Sequence, residues 1–140
     1  MILYADTSAL AKLVLEEEGS SVMLAASHRA DVLASVAVAY PELRAAIAAA
    51  VRDGRVLPAL RLGTRQQLES LWGHVATVPC DEPLIRRAGD LAEELALRGY
   101  DAVHLAGLVA MGSPDQVACA CWDNQVRRAA QQLGYALVPA

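Results

Sequence analysis

Met1-Ile2-Leu3-Tyr4-Ala5-Asp6-Thr7-Ser8 opens the chain, and how this stretch is read decides the fold. Five uncharged residues end on a carboxylate and then on two hydroxyl side chains. A short continuous apolar run bounded by polar residues reads as a buried strand, and Thr7-Ser8 reads as the start of a helix. A second run, Val117-Ala118-Cys119-Ala120-Cys121-Trp122, ends on Asp123 in the same way. In a parallel α/β sheet, side chains just beyond the carboxyl ends of the strands gather at one edge, where ligands bind. Glu42, early in a helix after the second strand, and Asp101, at the opening of a later helix, complete a set of four acids. Carboxylates brought to one edge repel each other and resist ionising unless a cation sits among them. All-oxygen ligation favours Mg²⁺ or Mn²⁺ over zinc.

At 140 residues the chain is one domain's worth, and 55% hydrophobic residues make it globular rather than disordered. Alanine dominates that fraction and Phe is absent, which implies closely packed helices on a small sheet. No apolar stretch approaches the roughly 18 residues of a membrane span. The N-terminus lacks a basic region, and Asp6 would interrupt a signal-peptide core, so nothing directs export and the cytoplasm fits. Cys80, Cys119 and Cys121 are odd in number and lack C-x-x-C spacing, against both a disulfide framework and a zinc site. Cys119 and Cys121 share a strand face and read as small buried hydrophobes. A net charge of −4 argues against an unaided basic nucleic-acid binder, although a metal reverses the local sign where a phosphate would sit. Lys12 is the only lysine; the remaining positive charge is Arg, the better partner for phosphate or a protein surface.

Strand and helix patterns alternate along the chain, the signature of an α/β domain. After strand Ile2–Ala5, a helix from Thr7-Ser8 runs through Leu10, Leu13 and Val14 toward Glu17, stopped by Gly19-Ser20. A helix over Val22–His28 and a strand over Val32–Ser35 follow. Pro41 sits just ahead of Glu42 in the first turn of a helix reaching Val51, with Leu43, Ile47 and Val51 on its core face. Arg52–Gly63 reads as a loop with a short helical piece. Thr64 caps a helix through Leu71, and Val75–Val78 is a weak strand. Asp81 caps a helix with Leu84, Ala88, Leu91 and Leu95 on one stripe, ending at Gly99. Asp101 opens a helix over Ala102–Met111, closed by Gly112-Ser113-Pro114. Strand Val117–Cys121, helix Asn124–Leu133 and strand Tyr135–Val138 finish a single unit without repeats or linkers.

Each Asp also has a plainer reading. Asp is among the best helix N-caps, and Asp6, Asp101 and Asp123 all stand at helix starts, as does Asp81, which reads as a cap and nothing more. Glu42 caps poorly; it is either an exposed first-turn Glu favoured by the helix dipole or a functional acid. Ser8 either orients Asp6 through a hydrogen bond or caps the helix, and both can hold at once. His104, one turn after Asp101, reads as a half-buried helix histidine before a substrate contact. Tyr4, Tyr40 and Tyr100 read as core residues before base-stacking platforms, and Glu16-Glu17-Glu18 as a solvated helix end.

These residues carry a resemblance to the PIN-domain family, and within it to the VapC-type toxins of prokaryotic toxin–antitoxin pairs. The matching stretches are Tyr4-Ala5-Asp6-Thr7-Ser8-Ala9-Leu10-Ala11-Lys12-Leu13, Tyr40-Pro41-Glu42-Leu43-Arg44, Tyr100-Asp101-Ala102-Val103-His104-Leu105-Ala106 and Trp122-Asp123-Asn124-Gln125. They span the chain. The resemblance implies a single PIN domain, an α/β/α sandwich whose central, mostly parallel sheet is flanked by helices. It implies an acidic site of Asp6, Glu42, Asp101 and Asp123 that binds Mg²⁺ or Mn²⁺ and supports RNA cleavage, with Ser8 and Asn124 in support. It also implies a homodimer and a cognate antitoxin that covers the site. In such a site a metal-activated water attacks phosphorus, so no side-chain nucleophile is required, and no Ser-His-Asp or Cys-His motif is evident.

Three other classes use similar parts. A haloacid-dehalogenase-like phosphatase also begins strand–Asp, but carries Asp-x-Asp where this chain has Ser8. A receiver domain needs a lysine after a late strand, and Lys12 lies in the wrong part of the chain. A PIN-like module that binds RNA or a partner without cutting differs only in activity.

Overall fold

β1 (Ile2–Ala5) lies at the centre of a five-stranded sheet, between β2 (Val32–Val36) and β4 (Val117–Ala120), with β3 (Ala76–Val78) and β5 (Ala136–Val138) at the edges. The computed structural model describes residues 1–140. Every neighbouring pair is parallel, including the edges, in the order β3-β2-β1-β4-β5. β1 and β4 are held in register by Ala5 opposite Ala120.

Side chains alternate across this sheet with a period of two. Tyr4, Ala34, Val36 and Cys119 face a core built with α5 (Glu82–Leu95), α6 (Gly99–Met111) and α7 (Asn124–Gln132). Leu3, Ala5, Ala118 and Ala120 face a second core built with α1 (Thr7–Ala11), α2 (Ser20–Arg29), α3 (Ala39–Arg52) and α4 (Arg61–Trp72). Both faces of the sheet are covered, so its strands are apolar throughout. The strand–helix alternation points to this α/β domain, and the family resemblance to its α/β/α sandwich.

Because all strands are parallel, their carboxyl ends share one edge, and helices leaving those ends begin there. α3 and α7 leave β2 and β4 directly. α6 leads through a short turn into the start of β4, so its own N-terminus comes back to the same carboxyl edge. The first turns of three helices and the tail of β1 are thereby collected in one place.

Several boundaries differ from the sequence expectation, each for a local reason. α1 stops at Ala11 instead of Glu17, although Leu10, Leu13 and Val14 keep helical spacing. Backbone bonds tighten to the i+3 type there, and the Lys12 ammonium bonds Glu17 Oε1 at 3.1 Å and the Glu18 carbonyl at 2.7 Å, folding the segment back. The acidic run is therefore a tethered turn and not a solvated helix end. Gly19 starts α2 instead of stopping α1. Its φ of +90° and the Trp122 indole 2.9 Å from where a Cβ would stand both demand glycine. α4 begins at Arg61, so Thr64 is inside it and donates back to the Leu60 carbonyl at 3.0 Å. The short helical piece is Pro58–Leu60. Pro41 and Asp101 are the third residues of their helices, β2 extends to Val36, β4 stops at Ala120, and Tyr135 packs beside β5 instead of within it. Tyr100 is 68% exposed and takes no part in the core. No helix is long and apolar enough to cross a membrane.

Candidate active site

The Asp6 backbone extends the β1–β4 pairing by one bond, its N–H donating to the Ala120 carbonyl at 3.1 Å. This puts Asp6 opposite Cys121 and buries it to 4% exposure. Its Oδ1 accepts from the Ala9 N–H at 3.0 Å, capping α1, and from the Ser8 hydroxyl at 2.6 Å. Its Oδ2 accepts from the Cys121 thiol at 3.0 Å. Burial raises the Asp6 pKa above the ordinary carboxylate value; the bonds from Ser8 and Cys121, the nearby His104 and the Ala9 N–H offset only part of that. Asp6 is thus both a cap and a desolvated acid.

Ser8 does more than orient Asp6. Its oxygen also accepts the Trp122 N–H at 2.8 Å, tying the loop after β4 to the start of α1. Cys121 also bridges the two strand ends, since its thiol lies 3.3 Å from the Asp123 carbonyl oxygen as well. Burial first, then the charge and hydrogen bond of Asp6, push the Cys121 thiol far above its usual pKa, so it stays a protonated donor. Its neighbour Cys119 is pushed up to about 12 by burial and by Asp6. Both cysteines are buried as expected, but Cys121 is also a hydrogen-bond partner of the central acid. The β1–β4 register was the only signal in the sequence that could have revealed it.

Glu42 is held from two sides. Oε1 accepts from the Thr7 hydroxyl at 2.8 Å and from His104 Nε2 at 2.6 Å, and His104 is 5% exposed. Burial acts to raise the Glu42 pKa, but the His104 hydrogen bond and charge and the Thr7 bond outweigh it, leaving the acid below its usual value. Thr7 and His104 both contact this candidate acid, where the sequence reads Thr7 as a helix start and His104 as a half-buried helix histidine before a substrate contact. His104 Nδ1 is buried without a partner.

Asp101 lies one turn before His104 on α6, and its Oδ2 accepts from Arg98 Nε at 3.1 Å. The Arg98 side chain is 80% exposed, so solvent screens that pair. Asp123 caps α7, its Oδ1 accepting from the Gln125 and Val126 N–H groups at 2.9 and 3.1 Å. Asn124 is the exposed first residue of α7, and its side chain makes no hydrogen bond.

The four acids therefore reach one sheet edge from four elements, β1, α3, α6 and the α7 cap. Thr7, next to Asp6 in the chain, donates to Glu42, and the Cys121 thiol lies between Asp6 Oδ2 and the main-chain carbonyl of Asp123. No three carboxylates, imidazoles or thiols stand close enough together to close around one ion. None of the five main surface grooves is lined by these acids, which lie along an open edge. The donor chemistry nevertheless suits a hard cation. Glu42, Asp101 and Asp123 each spend one carboxylate oxygen on the protein and leave the other without a hydrogen bond.

No family model matches the chain. Two curated ribonucleases of Mycobacterium tuberculosis, VapC45 (strain CDC 1551 / Oshkosh) and VapC49 (strain ATCC 25618 / H37Rv), are each 37% identical to it over 139 residues, covering 99% of this chain and 96% of theirs. Among solved structures, PAE2754 from Pyrobaculum aerophilum shares the fold with a TM-score of 0.70 at 19% identity, over 99% of this chain and 85% of that one. VapBC2 from Rickettsia felis, solved bound to a DNA fragment from its promoter, shares it with a TM-score of 0.65 at 11% identity, over 98% and 97% of the two chains. The structures establish the fold, and the full-length identity to the two ribonucleases establishes the kinship: this chain belongs to the VapC ribonuclease family.

Proposed function

We propose that this chain is a metal-dependent endoribonuclease, the toxin of a type II toxin–antitoxin pair, and that Asp6, Glu42, Asp101 and Asp123 form its catalytic site. What carries the reading is the arrival of four acids at one sheet edge, three of them with an unused carboxylate oxygen, in a chain 37% identical end to end to VapC ribonucleases. The same reading gives it RNA as substrate, a cognate antitoxin that covers the acids, and a homodimeric state.

The free carboxylate oxygens of Glu42, Asp101 and Asp123 would supply ligands for Mg²⁺ or Mn²⁺ near Asp6. Since no three of these groups are close enough to enclose an ion in the free protein, the rest of the coordination would come from water and the RNA phosphate. When bound, the cation supplies a water of lowered pKa and neutralises charge on the scissile phosphate. The chain's own contribution is positional. Ser8 and Cys121 fix the Asp6 carboxylate from both oxygens, and Thr7 and His104 fix Glu42 with one oxygen turned away. His104 donates through Nε2 to an acid kept ionised, so it holds the carboxylate and withdraws no proton from it.

The spread of the acids favours one rival reading, a PIN-like module that binds RNA or a partner without cutting. Purified protein freed of metal and given RNA decides between them. Cleavage should appear with Mg²⁺ or Mn²⁺, stop with a chelator, and fall at least a hundredfold in Asp101→Asn. Undiminished cutting by metal-stripped protein would end the metal-nuclease reading, and RNA binding with no cutting under any divalent cation would support the rival.

A further inference from the structure

The placement of the arginines shows a second charged surface away from the acids. Arg55, Arg86, Arg87 and Arg98 each meet a carboxylate. Arg127 and Arg128 donate to backbone carbonyls. Arg29, Arg44, Arg52, Arg61 and Arg65 do neither, and three of these five, Arg44, Arg61 and Arg65, line one groove between α3 and α4 together with Ile47, Ala48 and Leu62. Unpaired guanidinium groups converge in a concave place on a chain whose net charge is −4. None of the three pairs directly with a carboxylate (Glu69 reaches Arg44 only through the Tyr40 hydroxyl), so their like charges repel and a bound anion relieves them.

We propose that this groove holds backbone phosphates of the RNA strand beyond the bond that is cut. The proposal rests on the nuclease reading above and extends it to how the substrate is held. Arg44 follows Glu42 by two residues on α3, so one wall of the groove starts within a single turn of that acid but on a helix face turned about 200° from it, and the strand reaches it by passing around α3. Arg44 Nη1 donates to the Tyr40 hydroxyl at 3.1 Å and its guanidinium lies 5.9 Å from the Tyr40 ring, which packs 5.5 Å from Trp72. The Tyr40 hydroxyl also bonds Glu69 near the end of α4, so α4 runs antiparallel to α3 and its first turns bring Arg61 and Arg65 alongside Ala48. From Glu42 to Ala48 the helix advances roughly 9 Å along its axis, about two to three nucleotides at the roughly 3.4 Å spacing of a stacked strand.

The chemistry of the groove matches phosphate better than a protein segment. Guanidinium forks bind phosphate oxygens in pairs, and apolar side chains between them suit a ribose. Its volume, about 110 Å³, accommodates a phosphate and not the row of side chains that a docked helix inserts. A bound cation offsets the acids only at the phosphate it touches, and a basic surface would hold the phosphates farther along the strand.

The test is binding of a short fluorescent single-stranded RNA, read by anisotropy in EDTA over a series of salt concentrations. Wild type, Arg61→Gln/Arg65→Gln and the distant control Arg86→Gln are compared. The double variant should bind roughly tenfold more weakly, and its plot of log affinity against log salt should be shallower by about 1.4, from 0.7 per lost phosphate contact. The control should match wild type. With metal present, the double variant should raise KM for RNA and keep kcat. Wild type that binds no RNA, or a double variant with unchanged affinity and slope, overturns the proposal. So does a double variant that loses affinity for a poly-glutamate peptide but not for RNA, which assigns the groove to an acidic protein segment. Binding in EDTA tests the groove alone and cutting with metal tests the reading beneath it, so the two can fail separately.

Discussion

Asp6 accepts three hydrogen bonds and is still disfavoured as an anion, because burial outweighs them. Asp6→Asn keeps the cap and the Ser8 bond through the amide oxygen and turns its NH₂ toward the Cys121 sulfur. The metal-free protein should therefore become more stable by about 1–2 kcal/mol, while RNA cleavage collapses. The pH dependence has a definite sign. A buried acid with a raised native pKa loses stability as pH climbs from the unfolded-state value through the native one, so the mutant's advantage should be full at neutral pH and vanish in acid. Glu42 runs the other way: its lowered native pKa stabilises the fold above the ordinary glutamate value, and that contribution disappears as pH falls through the native one. Glu42→Gln should thus destabilise at neutral pH, and urea melts of both variants from acid to neutral pH check the two signs together. An Asp6→Asn protein with ordinary cleavage and an unchanged melt would reduce Asp6 to a helix cap.

Gly107 on α6 illustrates how a helix is set at the right distance to make such contacts. A Cβ there would run into the Tyr4 hydroxyl and meet the Val36 side chain at 2.9 Å, so α6 lies against β1 and β2 as closely as only glycine permits. That approach brings His104, one turn earlier, onto Glu42. Gly107→Ala should cost about 2–3 kcal/mol by overpacking and weaken cleavage as well, read by thermal melts and initial rates. Tyr4→Phe should cost little or stabilise, since the Tyr4 hydroxyl is buried without a hydrogen bond, and it should recover part of the Gly107→Ala loss. The two strand ends bearing Asp6 and Asp123 were legible in the sequence because continuous apolar runs ending on a carboxylate have few other readings. So was α5, whose Asp81 cap accepts from the Leu84 N–H at 3.1 Å. α1 was not, because Lys12 folds the chain back onto Glu17 and Glu18 and lies over the ring of Trp122, a residue far away in the chain, against a good helical pattern. Thr7, Cys121 and Gly107 escaped for the same reason: their roles exist only once β1 lies between β2 and β4 and α6 has closed over them.

For the molecule as a whole, the all-parallel sheet is what converts four unrelated local features into one edge, and it concentrates negative charge there. In a metal-free chain of net charge −4, that edge should lower stability at low ionic strength, where the screening length is long, and recover as salt is added. Such recovery is general and would follow from any salt. A cation held by Glu42, Asp101 and Asp123 behaves differently, because a ligand that binds only the native state stabilises it by mass action, about 2.7 kcal/mol at a hundredfold excess over its Kd. Melts in EDTA with NaCl, and without EDTA in MgCl₂ at matched ionic strength, separate the two effects. Mg²⁺ should raise the wild-type Tm beyond the NaCl curve, and Asp101→Asn should lose that excess while keeping the general salt response. Asn124→Ala, on the same helix start but with no side-chain bond, should keep both. If wild type in MgCl₂ falls on the NaCl curve, the open spacing of the acids is their working arrangement in the free protein, and the cation must arrive with the phosphate of the RNA that helps to hold it.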